Sequence, residues 1–257
     1  MNILEFNNVT KQFGGLTAVG NVDFQVAKDS IFGLIGPNGA GKTTIFNLIT
    51  GIYHVTEGEI LFEGKRINGL QPYQIAQLGI TRTFQNIRLF KKLTIYENIL
   101  TACHENGNYG IFDAILRNGK YKKQERIMHE KTQTLMEIMG LEDRKDIIAA
   151  NLPYGWQRRL EIARALASNP KLLLLDEPAA GMNPDETLKL MTLIHEIRKQ
   201  FKVTMIVIEH HMDLIMGVCD KIMVLNFGQK LAEGTAQEIQ ENKKVIEAYL
   251  GEEEMHC

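Results

Sequence analysis

Hydrophobic and polar positions follow two patterns in the first and last thirds of the chain. Apolar residues alternate with polar ones over residues 22–26 and around Ile60 and Phe62, which predicts half-buried strands in a strand-rich N-terminal third. Three other segments are apolar almost throughout, and they are residues 31–35, 172–175 and 203–208. Such runs are typical of strands buried on both faces of a parallel sheet, so we expect these three to form the core.

A helix is predicted between the second and third of these buried strands. Its apolar residues recur at helical spacing, and they are Leu190, Ile194, Ile197 and Phe201. The start of the helix is well specified, because Asn183 can cap it, Pro184 suits the first helical position and Glu186 can complete a capping box. Strand, helix and strand together predict a βαβ unit.

Residues 89–167 show helical periodicity, and no convincing strand interrupts it. We therefore expect one domain over residues 1–257, in which residues 1–88 and 168–257 form the core and residues 89–167 an inserted helical subdomain. The insert carries a basic cluster, Arg117, Lys120, Lys122, Lys123, Arg126 and Lys131. A solvated helix face is the plainer interpretation of this cluster, and contact with anionic lipid or an acidic partner is the alternative.

Composition narrows the class of protein. The chain has 257 residues, a net charge of −2, 44% hydrophobic and 23% charged residues, which excludes disorder and collagen and predicts a soluble globular protein. The longest apolar stretches are far shorter than the roughly 20 residues that span a bilayer, and the N-terminus resembles no secretion signal. We expect a cytoplasmic location, no nucleic-acid partner, and reduced, unpaired thiols at Cys103, Cys219 and Cys257.

A glycine-rich loop follows the first buried strand and leads into a helical segment. It reads Gly36-Pro37-Asn38-Gly39-Ala40-Gly41-Lys42-Thr43-Thr44. This is the G-x-x-x-x-G-K-[ST] pattern, in which glycines turn backbone N–H groups inward and the following helix adds its positive end. We expect Lys42 to reach the β- and γ-phosphates of a nucleotide and Thr43 to offer its hydroxyl to Mg²⁺.

Two adjacent carboxylates end the second buried strand. Asp176 and Glu177 follow four leucines, at the sheet edge where parallel sheets bind their ligands. Together with the phosphate loop, they indicate that Asp176 holds Mg²⁺ through water and that Glu177 orients and deprotonates the attacking water. The residues by themselves thus predict a Mg-dependent ATPase.

Four further segments match sequence motifs of one family, and they follow one another in the same order as in that family. They are Thr83-Phe84-Gln85 as the glutamine loop, Leu152-Pro153-Tyr154-Gly155-Trp156-Gln157 as the signature, Ala180-Gly181-Met182-Asn183 as the D-loop and Ile208-Glu209-His210 as the histidine switch. Over essentially its whole length the chain resembles the ATP-binding subunit of ABC transporters. The resemblance implies an α/β P-loop NTPase fold with a RecA-like core, an N-terminal antiparallel β subdomain and an inserted helical subdomain.

The resemblance also implies roles for single residues. Gln85 would coordinate Mg²⁺ or the attacking water through its amide oxygen. His210 would contact the γ-phosphate and hold Glu177 in register. Spacing alone does not decide whether His210 or His211 has this role, and the match to the family's Ile-Glu-His pattern favours His210. Phe13 would stack on adenine, with a place in the core as the alternative.

The signature departs from the common Leu-Ser-Gly-Gly-Gln pattern. Pro153 offers neither the serine hydroxyl nor a backbone N–H to the γ-phosphate, and Tyr154 and Trp156 are also changed. Gly155 and a helix beginning near Trp156 can still present N–H groups. We expect a slower ATPase, with a degenerate site used only for binding as the alternative. Asn183 replaces the usual D-loop aspartate.

Five segments are similar to one subgroup, the ATPases of branched-chain amino acid importers. They are residues 79–85, 93–98, 158–164, 232–235 and 245–252. The subgroup implies an ATPase that energises import of branched-chain amino acids, with ATP held between two ATPase subunits, identical or homologous, in a head-to-tail dimer. Its expected partners are two membrane permease subunits, contacted through residues 87–98, and an extracytoplasmic solute-binding protein, which places the chain at the cytoplasmic face of the membrane.

Other functions fit less well. An exporter ATPase for lipid or lipopolysaccharide shares much of the pattern and stays open. A soluble ABC ATPase of DNA repair or translation usually carries a long coiled coil or two tandem cores, which do not fit in 257 residues. A GTPase switch needs an Asn-Lys-x-Asp segment that the chain lacks, and a small-molecule kinase leaves the signature and the adjacent Asp-Glu pair unexplained.

Overall fold

The computed structural model describes residues 1–104, 113 and 118–255, so Arg117 of the basic cluster and Cys257 lie outside the described residues. The chain divides into two compact units. The first consists of Met1–Arg82 and Lys171–Cys257, and the second of Thr83–Pro170. Residues 83–88 and 168–170 therefore belong to the second unit. Within the described part of the chain, no helix is both long and apolar enough to cross a bilayer.

The elements are numbered along the chain. The first unit begins with β1 (Asn2–Phe13), β2 (Leu16–Ala27), β3 (Ile31–Ile35), α1 (Lys42–Ile49), β4 (Glu57–Phe62), β5 (Lys65–Arg66), α2 (Pro72–Leu78) and β6 (Ile80–Arg82). The second unit contains α3 (Ile95–Cys103), α4 (Gly119–Met139) and α5 (Tyr154–Ala167). The first unit then resumes with β7 (Leu172–Asp176), α6 (Pro184–Phe201), β8 (Thr204–Ile208), α7 (Met212–Val218), β9 (Lys221–Asn226), β10 (Gln229–Gly234), α8 (Ala236–Gln240) and α9 (Lys243–Met255).

An antiparallel sheet in the order β2-β1-β4-β5 occupies the N-terminal part of the first unit. Its alternating residues face the core as predicted, because Val22, Phe24, Val26, Ile60 and Phe62 are buried and the residues between them are at least partly accessible. Phe24 stacks between Phe6 and Phe32, with ring centroids 4.4 and 5.4 Å away. These rings connect the antiparallel sheet to the central strand β3.

The second sheet has the order β10-β9-β3-β8-β7-β6, and all of its pairings except β10 with β9 are parallel. Every residue of β3, β7 and β8 is buried, as the three apolar runs predicted. Ile208 of β8 pairs with Leu34 on one side and Asp176 on the other. The carboxyl ends of β3, β8 and β7 therefore lie at one edge of the sheet.

Helix α6 connects β7 to β8 and confirms the predicted βαβ unit. Its capping box is formed as expected, since Asn183 Oδ1 accepts from the Glu186 N–H at 2.9 Å and Glu186 Oε2 accepts from the Asn183 N–H at 3.0 Å. Pro184 occupies the first turn. The predicted apolar positions Leu190, Ile194 and Ile197 are buried together with Leu193, and Phe201 is half-buried.

The second unit packs α3, α4 and α5 around buried residues that include Ile99, Leu135, Met136 and Leu160. Its described basic residues are not equivalent. The Lys131 ammonium donates to Ala167 O at 2.5 Å and to Asn169 Oδ1 at 2.6 Å, which satisfies the C-terminal end of α5. Burial lowers the pKa of Lys131, whereas Lys120, Lys122, Lys123 and Arg126 are exposed on α4. Lys131 is thus a structural residue and no part of an exposed basic face.

The two described cysteines are free thiols, in agreement with the sequence. Burial raises the pKa of Cys219 far above its ordinary value, and burial also raises the pKa of Cys103. Because the thiolate is the nucleophile, both side chains are poor targets for alkylation.

In a Cys257→Ser variant at pH 8, we expect iodoacetamide to modify Cys103 and Cys219 at least ~10-fold more slowly than it modifies a small free thiol, because little of either thiol ionises. Mass spectrometry of the intact protein measures the rate. The same variant in denaturant is the control and should react at the rate of the free thiol. Rapid labelling of the folded protein would contradict the buried placement of Cys103 and the half-buried placement of Cys219.

Candidate functional site

Three loops of the first unit meet at the carboxyl edge of the parallel sheet. The glycine-rich loop follows β3, Glu177 follows β7, and Glu209 and His210 follow β8. The Glu177 N–H donates to Ile208 O at 2.8 Å, which joins two of these loops. The sheet therefore brings together residues that are separated by more than a hundred positions in the sequence.

Glycine is required at two positions of the phosphate loop. Gly36 has a φ of 148°, and a Cβ there would lie 2.0 Å from Leu225 O. Gly41 has a φ of 103°, and a Cβ there would lie 2.6 Å from Ala18 O. Any side chain would collide with backbone, so the loop is packed directly onto its neighbours. Gly41 also precedes α1 without a side-chain cap, which leaves the first-turn N–H groups to an anion.

Lys42 lies in the first turn of α1 and is buried despite its charge. Its Nζ donates to Gly36 O at 2.6 Å and to Pro37 O at 2.8 Å. The Ala40 N–H closes the loop by donating to Pro37 O at 3.2 Å. Two carbonyl oxygens of the loop thus accept from the ammonium group, and an anionic phosphate is a stronger partner for it than either carbonyl.

Oxygen ligands suited to Mg²⁺ stand on two of the three loops. Thr43 is an exposed residue at the start of α1, and Asp176 is the last residue of β7. Mg²⁺ is usually held by one or two such protein oxygens together with substrate phosphates and water, so the donors present fit a nucleotide-bound Mg²⁺. Residues 1–104, 113 and 118–255 contain no group of three or more His, Cys, Asp or Glu side chains that could hold a metal without such a nucleotide.

Arg82 is a buried partner of Asp176 whose role the sequence analysis missed. Its Nη2 donates to Asp176 Oδ2 at 2.6 Å and its Nη1 to Asn47 Oδ1 at 2.7 Å, while its guanidinium lies 5.3 Å from the Phe46 ring centroid. The Arg82 and Asp176 side chains are 7% and 6% exposed. Arg82 ends β6, which pairs with β7 so that Arg82 lies opposite Leu174. Only knowledge of that strand pairing could have linked the two residues.

Replacing Arg82 with Met removes an ion-pair partner from the buried Asp176 carboxylate. We expect the free energy of unfolding of the nucleotide-free protein to fall by about 3–5 kcal/mol, measured by guanidinium denaturation. The matched control is Arg66→Met on the exposed strand β5, for which we expect a change below about 0.5 kcal/mol. Equal losses in the two variants would contradict a structural role for the ion pair.

Glu177 and His210 face each other across the site. His210 Nε2 lies 3.0 Å from Glu177 Oε1, and Glu177 holds a left-handed backbone with a φ of 48°. A left-handed non-glycine residue at such a place is a common form of local strain at functional sites. His211 is placed differently, because it precedes α7 and lines a cavity of about 380 Å³ with Met182, Leu188 and others. The geometry thus separates two histidines that spacing could not.

Phe13 is 40% exposed at the end of β1 and lies outside the core, so the core alternative is wrong. Its ring meets Tyr53 edge-on at 5.0 Å, and Lys11 Nζ lies 4.7 Å from its centroid. An accessible aromatic ring with a neighbouring cation is suited to stacking on a purine.

The remaining predicted residues, Gln85 and Gly155, belong to the second unit, where a buried ion pair organises both segments. Arg158 is fully buried and donates through Nη1 to Glu161 Oε2 and to Phe84 O, each at 2.7 Å. Its Nη2 donates at 3.0 Å to Gln85 O and to the Tyr154 hydroxyl. The glutamine loop and the signature helix are therefore joined through one guanidinium group.

The unusual signature residues have structural reasons. Helix α5 begins at Tyr154 with Pro153 as its N-cap, two residues before the expected start near Trp156. Proline fits there because the backbone N–H at a helix start lacks an intrahelical acceptor in any case. The Trp156 ring lies 4.3 Å from the Arg144 guanidinium and 5.1 Å from that of Arg159. Cation–π contacts thus hold the residue that replaces the usual glutamine.

Comparison with known proteins identifies the family. The family model described as "ABC transporter" matches residues 19–180, which is more than half of the chain. The chain belongs to the ABC transporter family. A second model, described as "Branched-chain amino acid ATP-binding cassette transporter", matches residues 229–255. As a member of this family, the protein is an ATPase, and its sheet order and inserted helical unit belong to the ABC ATPase fold.

Individual relatives match over nearly their full length. The chain is 46% identical over 250 residues to the high-affinity branched-chain amino acid transport ATP-binding protein LivG of Escherichia coli, covering 97% of this chain and 98% of that protein. It is 45% identical over 250 residues to BraF of Pseudomonas aeruginosa, which carries the same description and is covered to the same extent. A crystal structure of an ABC transporter cassette in its ADP conformation superposes with a TM-score of 0.84 at 32% identity, covering 98% of this chain and 99% of that one.

Proposed function

We propose that this protein is the ATP-hydrolysing subunit of an importer for branched-chain amino acids. The observation that carries the proposal is the end-to-end similarity to LivG and BraF, which extends to the C-terminal match at residues 229–255. The site supports the chemistry, since its phosphate loop, Asp176, Glu177 and His210 stand at one edge of one sheet.

Hydrolysis would use the residues of this edge in distinct roles. The backbone N–H groups of the loop and the Lys42 ammonium bind the β- and γ-phosphates of ATP. The Thr43 hydroxyl and Asp176 carboxylate would hold Mg²⁺, which neutralises charge on the phosphates, and the family resemblance adds the Gln85 amide oxygen. Glu177 accepts a proton from the attacking water, and His210 holds the Glu177 carboxylate in place for that transfer.

A complete site would need a second ATPase subunit. By family resemblance, ATP lies between the phosphate loop of one subunit and the signature of the other, with Phe13 stacked on adenine. Gly155, in the first turn of α5, would offer a backbone N–H to the γ-phosphate, whereas Pro153 offers no donor. One lost neutral hydrogen bond costs about 0.5–1.5 kcal/mol, so dimer closure would be weaker and turnover slower than in a signature with serine.

The partners follow from the same proposal. Two membrane permeases would bind the subunit at the cytoplasmic face of the membrane, partly through residues 87–98, and an extracytoplasmic solute-binding protein would deliver the amino acid. Residues 1–257 would work as one ATPase domain with a helical subdomain that carries the signature. A lipid exporter would keep the same ATP chemistry and change the membrane partners.

Glu177→Gln tests the proposed hydrolysis. The amide cannot accept the proton of the attacking water but preserves the shape of the side chain, so we expect ATP turnover to fall at least ~100-fold. Nucleotide affinity should change by less than ~2-fold, measured by fluorescence titration of a labelled ATP analogue. The exposed Glu57→Gln on β4 is the control and should retain full turnover. Normal turnover by Glu177→Gln would refute the role given to this carboxylate.

Transport identifies the cargo. We expect the protein to co-purify from gently solubilised native membranes with two permeases and an amino-acid-binding protein, all recognisable by mass spectrometry. In vesicles that contain this complex, ATP should drive uptake of labelled leucine, isoleucine or valine, and Glu177→Gln should abolish the uptake. Co-purification with lipid-export components instead would establish the exporter, and absence of any membrane partner would favour a soluble ATPase.

A further inference from the structure

A buried carboxylate that no role above uses lies beside the hydrolytic pair. Glu209 directly follows β8 and is 1% exposed. Its Oε1 accepts from the Ala179 N–H at 2.6 Å, and its Oε2 accepts from the His210 N–H at 2.9 Å and the His211 N–H at 3.3 Å. One side chain therefore binds the backbone of two different loops.

The stability of this arrangement depends on backbone groups. Among the residues that the structure describes, no Lys, Arg or His forms an ion pair with Glu209. A buried carboxylate that lacks a cation is costly unless N–H dipoles replace the lost water. The three donors supply that solvation only when Ala179 and His210 are both close to Glu209, so the charge itself favours this one placement of the two loops.

Each of the two loops carries one member of the hydrolytic pair. Ala179 lies two residues after Glu177, in the turn that leads to the D-loop, and its N–H binds one oxygen of Glu209. His210 is the next residue after Glu209, and its N–H binds the other oxygen. The two loops are thus linked twice. One link is the 3.0 Å contact between Glu177 Oε1 and His210 Nε2, and the other is the buried connection through Glu209.

We propose that Glu209 is a positioning residue that keeps Glu177 and His210 in hydrogen-bonding register and makes the turn at residues 178–182 move together with His210. The proposal rests on the ATP hydrolysis proposed above. Glu209 acts on the reaction through the backbone, so that a displacement of the D-loop is passed to the histidine that follows the neighbouring strand.

Glu209→Gln is the direct test, because it preserves the size of the side chain and replaces one accepting oxygen with an NH₂ group that cannot accept. Either the Ala179 N–H or the two histidine N–H groups then face a donor. We expect kcat for ATP to fall at least ~10-fold, as for the loss of hydrogen bonds to a charged acceptor. The dissociation constant for ATP should change by less than ~2-fold, because the phosphate loop is untouched.

The control and the combined variant make the test specific. Glu238→Gln changes an exposed glutamate in the capping box of α8, far along the chain from the site, and should leave kcat unchanged. In a His210→Ala background, Glu209→Gln should lower the residual kcat by less than ~2-fold, since residues that act through one another are not additive. Full additivity of the two changes, or a kcat within 2-fold of wild type for Glu209→Gln, would overturn the proposal.

Two further measurements separate positioning from folding and from the proposed function. If Glu209→Gln unfolds, Glu209→Asp carries the test, because it keeps the charge but shortens the reach by one methylene. We then expect a folded protein with unchanged ATP affinity and a kcat at least ~3-fold lower, and an unchanged kcat would refute the proposal. A wild-type protein that binds ATP without hydrolysing it would refute the proposed function instead.

Discussion

The register of three parallel strands is the constraint on which the site depends. Ile208 of β8 is in register with Leu34 of β3 on one side and with Asp176 of β7 on the other, so all three strands end at one level. Phosphate loop, carboxylate pair and histidine follow within one or two residues of those ends. A slip of any strand by one residue would exchange its two faces and would separate the three loops. Apolar burial on both faces of each strand keeps that register fixed.

Local patterns predicted much of this architecture. The buried strands, the capping box at Asn183 and the alternation in β2 depend on residues close together in the sequence, where periodicity and side-chain chemistry act directly. The phosphate loop was predicted for the same reason. Glycine is required in this loop because a Cβ at Gly36 or Gly41 would collide with a backbone oxygen.

Long-range polar contacts could not be predicted from the sequence. Arg82 and Asp176 are ninety-four positions apart, and Phe84 and Arg158 are seventy-four apart. Such pairs are fixed by strand order and helix packing, which no single segment encodes. The sequence predicts a start of α5 near Trp156, two residues too late, whereas proline is tolerated at the N-cap because a backbone N–H there lacks an intrahelical acceptor in any case. The sequence assigns Glu209 no role of its own, because its partners are backbone N–H groups, which every sequence offers.

The placement of Trp156 has an experimental consequence. It is the single tryptophan of the chain, and it lies in the first turn of α5 close to the guanidinium groups of Arg144 and Arg159. Indole emission is sensitive to nearby charge and to solvent access. The tryptophan emission of the unlabelled protein is therefore an optical reporter of the signature segment alone, and a change in that segment can be followed in real time without introducing a probe.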